Sequence, residues 1–467
     1  MTTNCPTIEY VSRQGLDQPI VVVDIIADNN NLKDSRFLDD NEIPEEIWEQ
    51  EAALDEKLQS LDYTTNTTST TIDITTDCKP TLRIPTSGQP VDTGAAAADA
   101  NDDSNANNDT KGRILCFGRR LSQFKWFNIL WLLFIHALAI YGFGYTLLNP
   151  VMLWTAIWTV VLACGSAFGA SAGSHRLWAH RAFKARWLLK LFLVITESMA
   201  INGSCYSYAR DHRNHHKFVD TDADPKNARR GFFYAHIGWW CVRKHPMVIE
   251  YGRKLTHRDL HEDQLVMWQH RWYYPMVIVW AILFPMAVPY YVWGEDLQTT
   301  LWVCVVLRTV IALHHLFTVN SIAHIIGKRP YDKGIGPTES KLTMYLSLGE
   351  GSHNYHHSFP MDYANCEKKW WEVFNPSTLF IDICKQLGLA YDLKKPSHQV
   401  VQGVIQRKGD PDYFERKLKR SLLTRIVMGI GDWMAGLAVA MWPVWIFLVF
   451  KLATGRHLIV VSDLSTL

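Results

Sequence analysis

Histidines crowd into three short stretches of the chain. "HRLWAH" carries His175 and His180, "HRNHH" carries His212, His215 and His216, and "GEGSHNYHH" carries His353, His356 and His357. A fourth stretch, "NSIAH", adds His324, with Asn320 one helical turn before it. An imidazole is polar and partly charged near neutral pH, so a cluster of them needs a partner. On a helix, positions i, i+3 and i+4 share a face, and H-x-x-H-H therefore aims three rings at one volume. His175 and His180, five apart, diverge by about 140° on a regular helix. They suit a helix end, or ligation of two different metal ions. Nine imidazoles with almost no carboxylate ligands suit zinc, copper, iron or nickel. Structural zinc takes four ligands, often with cysteine. Nine are too many for one ion and fit two, each with a position open for oxygen, which favours a redox-active di-iron centre. His136, His236 and His398 stand alone and read as locally satisfied. His314 and His315 lie within an apolar run, where ionisable groups are functional by default. Neither is at i−4 or i−7 from Asn320, and both stay unassigned.

Hydropathy has to position these clusters. Apolar runs at about 126–147, 151–173, 273–293 and 298–319 are each long enough to span a bilayer as a helix. They form two hairpins whose connectors, "LNP" and "GEDLQ", carry no Lys or Arg. The flanking segments are rich in both, so the connectors are expected outside the cytosol and everything between the hairpins inside it. All the histidine clusters then fall on the cytosolic face. A shorter apolar stretch, 188–203, is expected to lie in the interface or dip into the core. A further run at 434–453, "MAGLAVAMWPVWIFLVFKLA", reads as a fifth span, with an interfacial helix as the alternative. The expected fold is an all-α membrane protein, with four transmembrane helices in two hairpins under a cytosolic helical cap.

The composition agrees. Across 467 residues, 47 basic residues face 46 acidic ones for a formal charge of +1, so no basic bias argues for nucleic acid. Nineteen Trp and 20 Phe suit a membrane interface or a large core. Nine scattered cysteines without a C-x-x-C pair argue against a disulfide framework or a zinc ribbon. Residues 1–110 are polar, acidic and poor in aromatics, and read as a disordered tail. "VVVDII" at 21–26 is too short for a signal sequence. Sequons at Asn66, Asn108 and Asn202 are expected to face the cytosol and stay unmodified. The chain divides into this tail, a domain at 111–405 and an extension at 406–467.

An all-histidine iron pair can take electrons, activate dioxygen and cleave an unactivated C–H bond. Beside a membrane, that points to desaturation or hydroxylation of a lipid chain. A lipid hydroxylase on the same histidines is one alternative, and a non-catalytic lipid- or iron-binding membrane protein is another. Residues 120–405 resemble the membrane fatty acyl-CoA desaturases of the stearoyl-CoA (delta-9) type. "HRLWAHRAFKA", "RDHRNHHKF", "TDADPKNARRGFF", "GWWCVRKHP", "NSIAHIIGKRPYDK" and "GEGSHNYHHSFP" carry the resemblance, in order and spacing. It implies that the nine clustered histidines ligate two iron ions and that Asn320 reaches one through water. It implies O2 as oxidant and a long-chain acyl-CoA substrate. Electrons would come from cytochrome b5 and its NADH-dependent reductase, at the endoplasmic reticulum membrane. Family positions that hold the CoA headgroup fall on Asn128, Arg210, Asp211, Arg243 and Lys244, and Arg and Lys suit an anionic ligand. The chain departs from the family pattern at Asn202, Gly203, Ser207, Tyr208, Leu316 and Phe317. There the family has Gln-Asn, Glu-Trp and Thr-Trp along the bend of an acyl tunnel. These changes alter the tunnel's shape and hydrogen bonds. Chain length and double-bond position are therefore left open.

Overall fold

A computed structural model describes residues 123–418 and 421–445, together with 7–8, 71–73, 82–83, 114–115, 119–120, 448 and 452. The bulk of the acidic tail, "VVVDII" and the sequons Asn66 and Asn108 lie outside the described residues. The chain forms two compact units, Met1–Thr110 and Lys111–Leu467. In the first, three short strands, Thr7–Ile8, Thr71–Asp73 and Leu82–Arg83, pair antiparallel. The polar composition did not foretell that pairing.

The second unit is mostly helical. Among the described residues, five helices are long and apolar enough to cross a membrane. The first hairpin is α1 (Trp126–Leu148) and α2 (Leu153–Ala179). The apolar stretch that follows becomes α3 (Trp187–Ala200), and α4 (Cys205–Lys217) leaves it at 82°. Ile201 in the left-handed region and Gly203 at φ +111° make the corner. Ser204 then caps α4 by accepting from the Ser207 N–H. The second hairpin is α5 (Tyr273–Trp293) and α6 (Leu297–Ile325).

The two hairpin connectors touch. Tyr145 donates to Asp296 at 3.2 Å, and the Met152 N–H donates to Glu295 at 2.9 Å. Both connectors therefore occupy one end of the bundle, and the histidines that close α2 and α6 occupy the other. Arg308, fully buried within α6, ties three helices together. It donates to the carbonyls of Cys304 at 2.7 Å, Met199 at 3.1 Å and Ala281 at 3.2 Å. A cation at that depth needs such acceptors.

The expected bounds change in three places, the first being α6, which runs on to Ile325 rather than ending near 319. α2 runs past residue 173 because its last part, Gly169–Ala179, winds in wide π-type turns that keep the backbone bonded through "GSHRLWA". The C-terminal apolar helix, numbered α8 below, spans Leu422–Ala440 and so begins before the expected 434, while the last part of the expected run, to 453, lies partly outside the described residues. It begins early because residues 425–436 dock on the cap. Asp432 accepts from Lys341 at 2.6 Å and from Tyr345 at 2.9 Å, and Trp433 donates to the Trp370 carbonyl at 2.7 Å. Gly436 lies against the Phe374 ring so closely that a Cβ would collide with it. A turn at Met441 ends α8, and helix resumes over residues 442–445.

Candidate metal centre

The nine histidines arrive on four pieces of backbone. The end of α2 brings His175 and His180, and α4 brings His212, His215 and His216. The last turn of α6 brings His324, and a short helix, α7 (His353–Ser358), brings His353, His356 and His357. α7 is placed by the glycines before it. Gly349 has φ +122°, and a Cβ on Gly351 would strike the backbone of Ser340 and Met344.

The rings converge into two groups. His175, His180, His212, His216 and His356 form one, and His215, His324, His353 and His357 form the other. Within each group the candidate ligand atoms all lie within 4.8 Å of one another. His175 and His180 thus face the same group at a helix end, the first of the two expected alternatives, and ligation of two different ions is the one corrected. In the π-type turns the His180 N–H bonds the His175 carbonyl at 3.1 Å. An i→i+5 bond brings residues five apart onto one face. The H-x-x-H-H runs are divided instead: His215 parts from His212 and His216, and His356 parts from His353 and His357.

Carboxylates hold the outer edges of these rings. Glu350, at the centre of "GEG", lies 3.2 Å from His175 Nδ1. It also accepts from Arg176 Nη2 at 2.7 Å, from Asn365 at 2.9 Å and from Ser171. Asp224 takes His215 Nδ1 at 2.9 Å and is itself fixed by the N–H groups of Asp220 and Lys226. Asp220 lies 3.4 Å from His324 Nδ1. A carboxylate beside Nδ1 favours the tautomer that carries its proton there and leaves Nε2 bare for the inward side. This is the usual arrangement behind a metal-bound imidazole.

The donor set fits metal. His356 Nε2 is 2.9 Å from both His175 Nε2 and His216 Nε2, and one ring nitrogen has no means of donating to both. His353 Nε2 likewise faces His324 at 3.1 Å and His357 at 3.2 Å. Burial, then neighbouring imidazoles, hold His353, His356 and His357 well below the ordinary histidine value, so these rings stay neutral. Buried neutral lone pairs aimed at one another repel unless cations sit among them, and two groups call for two cations. Asn320 is buried one turn before His324.

The sequence reading missed Glu350, Asp220 and Asp224. Their signal was present, since all three lie inside or beside the quoted stretches, but as carboxylates they drew attention only as absent ligands. It also treated His136 and His236 as locally satisfied. His136 does bond its own helix through Leu132, but His136, His314 and His236 also line up in a chain. His314 Nε2 meets His136 Nε2 at 2.9 Å, and its Nδ1 meets His236 Nε2 at 2.9 Å. Because opposite nitrogens of His314 are used, this line does not converge as a metal site would.

The residues expected to meet an anionic headgroup gather beside the centre. Asn128 of α1 donates to the Trp240 carbonyl at 2.8 Å, and the Arg243 N–H donates to the Gln123 carbonyl at 2.8 Å. Lys244 reaches back to Asp211 on α4 at 2.8 Å, where Arg210 also bonds at 3.0 Å. Burial alone would raise the Asp211 carboxyl, but Lys244 and Arg210 outweigh it and hold the group well below the carboxylate range. The altered positions divide into separate places. Tyr208 stacks on His212 with centroids 5.6 Å apart. The Gly203 N–H donates to Tyr273 at 3.1 Å, and the buried Asn202 Oδ1 accepts no hydrogen bond. Phe317 packs against His236 and Trp240, whereas its neighbour Leu316 faces a cavity between α2 and α6.

Known proteins resemble this chain closely. The family described as fatty acid desaturase matches residues 152–377. Human stearoyl-CoA desaturase is 46% identical over 291 residues, covering 62% of this chain and 80% of the relative. Sheep acyl-CoA desaturase is 45% identical over 291 residues with the same coverage, and mouse acyl-CoA desaturase 3 is 46% identical over 288 residues, covering 62% and 79%. The chain belongs to the fatty acid desaturase family. The family match takes in all nine clustered histidines, together with Asp220, Asp224 and Glu350. Within this desaturase, Asn128 and α8 lie outside the matched residues.

Proposed function

We propose that the chain is a membrane acyl-CoA desaturase of the endoplasmic reticulum. The nine histidines hold two iron ions in a five-plus-four arrangement, with Asn320 contributing through water. When bound, two iron ions supply the power to take two hydrogens from adjacent methylenes, while O2, two electrons and two protons become two waters. Cytochrome b5, recharged by an NADH-dependent reductase, is the electron donor.

The protein's own groups select and hold the substrate. Arg210, Arg243 and Lys244 offer cations to the CoA phosphates. Asp211 fixes the direction of Arg210 and Lys244 through its paired ion contacts. Asn128, on the first turn of α1, offers an amide at the membrane edge. Glu350, Asp220 and Asp224 keep the inward nitrogens free of protons. The apolar faces of α2 and α6 exclude water from the chain. Delta-9 placement follows the family type, and Asn202, Gly203, Tyr208, Leu316 and Phe317 adjust the path of the acyl chain.

The reading rests on one observation: buried imidazoles converge in two groups with too few hydrogens to satisfy one another, at the end of apolar helices. Expression in a desaturase-deficient cell, with double-bond positions profiled and iron measured per purified chain, tests it. The wild type is expected to carry about two irons and to yield a mono-unsaturated product, whereas His353→Ala abolishes product. Wild-type turnover in His353→Ala, or a hydroxylated product from the wild type, refutes the assignment.

A further inference from the structure

The cavity beside Leu316 is not closed by the two spans that form its walls. Ala163 and Cys164 of α2 and Leu316 of α6 line its sides, and Val439, Ala440 and Trp442 from the C-terminal segment line it too. Ala167 of α2 and Leu316 of α6 each lie eight residues before a clustered histidine, His175 and His324 respectively. Along α6, at the rise of an α-helix, the cavity is therefore about 12 Å from the metal centre. Its walls mix small and aliphatic side chains with Arg308, His315, Tyr345 and Trp442, and the Arg308 guanidinium is already bonded to the carbonyls of Cys304, Met199 and Ala281.

α8 is anchored rather than merely adjacent. Arg425 pairs with Glu372, Asp432 pairs with Lys341, and Gly429 and Gly436 let the helix backbone approach Trp371 and Phe374. Its opposite face leaves Leu423, Val427, Ile430, Met434 and Leu437 at least half exposed. The anchoring fixes where Ala440 and Trp442 arrive at the cavity. α8 and the residues it brings to the cavity lie beyond residue 377, where the family match ends, whereas their partners Lys341, Trp371, Glu372 and Phe374 lie within it.

We infer that the C-terminal segment forms the floor of the acyl cavity, so that Ala440 and Trp442 set the longest fatty acyl chain accepted. The inference rests on the acyl-CoA reading above. A pocket discriminates by about tenfold or more for each methylene that fits or is refused. Enlarging the side chain at 440 shortens the floor by one or more methylenes. Removing the indole at 442 deepens it.

The test compares full-length wild type, Ala440→Phe and Trp442→Ala in membranes, supplied with saturated acyl-CoAs of increasing length. The readout is the ratio of desaturation of long to short chains. Ala440→Phe is expected to lower that ratio about tenfold, and Trp442→Ala to raise it by a similar factor. Opposite shifts in two variants separate a floor from simple destabilisation, which lowers every length equally. Unchanged ratios, or equal loss at all lengths, overturn the inference and leave the desaturase reading standing if the wild type is active. An iron-loaded wild type that desaturates no acyl-CoA overturns both.

Discussion

Glu350 is the sharpest place to test how the centre is held. It is buried, and its two oxygens serve His175, Arg176, Asn365 and Ser171 together. Arg176 is fully buried and gives Glu350 two of its nitrogens, at 2.7 Å and 3.1 Å. Glu350→Gln keeps the volume and removes the charge. The guanidinium is then a buried cation without its anion, which costs about 3–5 kcal/mol. With the amide oxygen kept by Arg176 at the Oε1 position, the NH2 of Gln stands where Oε2 faced His175. The acceptor that reserves the His175 proton for Nδ1 is therefore lost, and loss of such a partner weakens metal binding about 10–100-fold. Two losses are therefore expected, one in thermal stability and one in iron content. They separate in the double variant Arg176→Leu, Glu350→Leu. Replacing both members of a buried pair by apolar groups restores much of the stability. It leaves His175 without a carboxylate, so iron content stays low. The assay is unfolding temperature in detergent, read with iron per chain by elemental analysis. If Glu350→Gln keeps wild-type iron and wild-type unfolding temperature, the carboxylate is not what orients His175, and the reasoning fails. Recovery of iron in the double variant would refute it as well.

Two further outcomes follow from the packing and from the imidazoles. Gly169→Ala places a Cβ against the backbone of Thr196 and Glu197, where α2 crosses α3, and neither backbone has room to yield. Overpacking of this kind costs about 1–3 kcal/mol, so the purified variant should unfold at a lower temperature than wild type; an unchanged midpoint would show that the crossing relaxes freely. His353, His356 and His357 are held neutral in the folded protein, while in the unfolded chain they titrate near 6.5. Between the two values the unfolded state binds more protons, so their contribution to stability is complete above about 6.5 and is lost as pH falls through it toward the folded values. Metal binding adds to the same trend, because protons compete for the ring nitrogens. Iron retention and unfolding temperature should fall together from about pH 7 to about pH 5, and flat profiles over that range would contradict the assignment.

Much of the molecule is legible in local patterns. Runs of about 20 apolar residues mark α1, α2, α5 and α6, since spanning length is a property of the run itself. The i, i+3, i+4 spacing in α4 and α7 shows that three rings share a face, because a helix repeats its geometry locally. The corner at Ile201–Ser204, by contrast, was not legible, because residues 201–203 read as the end of one apolar stretch at 188–203.

Residue types and their order were enough to point to a family member with clustered imidazoles able to hold metal beside spans of membrane length, because imidazole chemistry and hydropathy belong to the residues themselves. Which ring joins which group was decided by tertiary structure alone. The π-type turns at Gly169–Ala179 bring His180 back over His175, and the crossing of α4 and α7 divides each H-x-x-H-H run between two groups. Glu350, Asp220 and Asp224 gain their meaning only when the fold places them behind His175, His324 and His215. α8 was readable as apolar, but not as a wall of the cavity, because Asp432, Gly436 and Trp442 find Lys341, Phe374 and Leu316 across long stretches of chain. Distances along a sequence say nothing about which buried faces will complement one another; packing makes that choice.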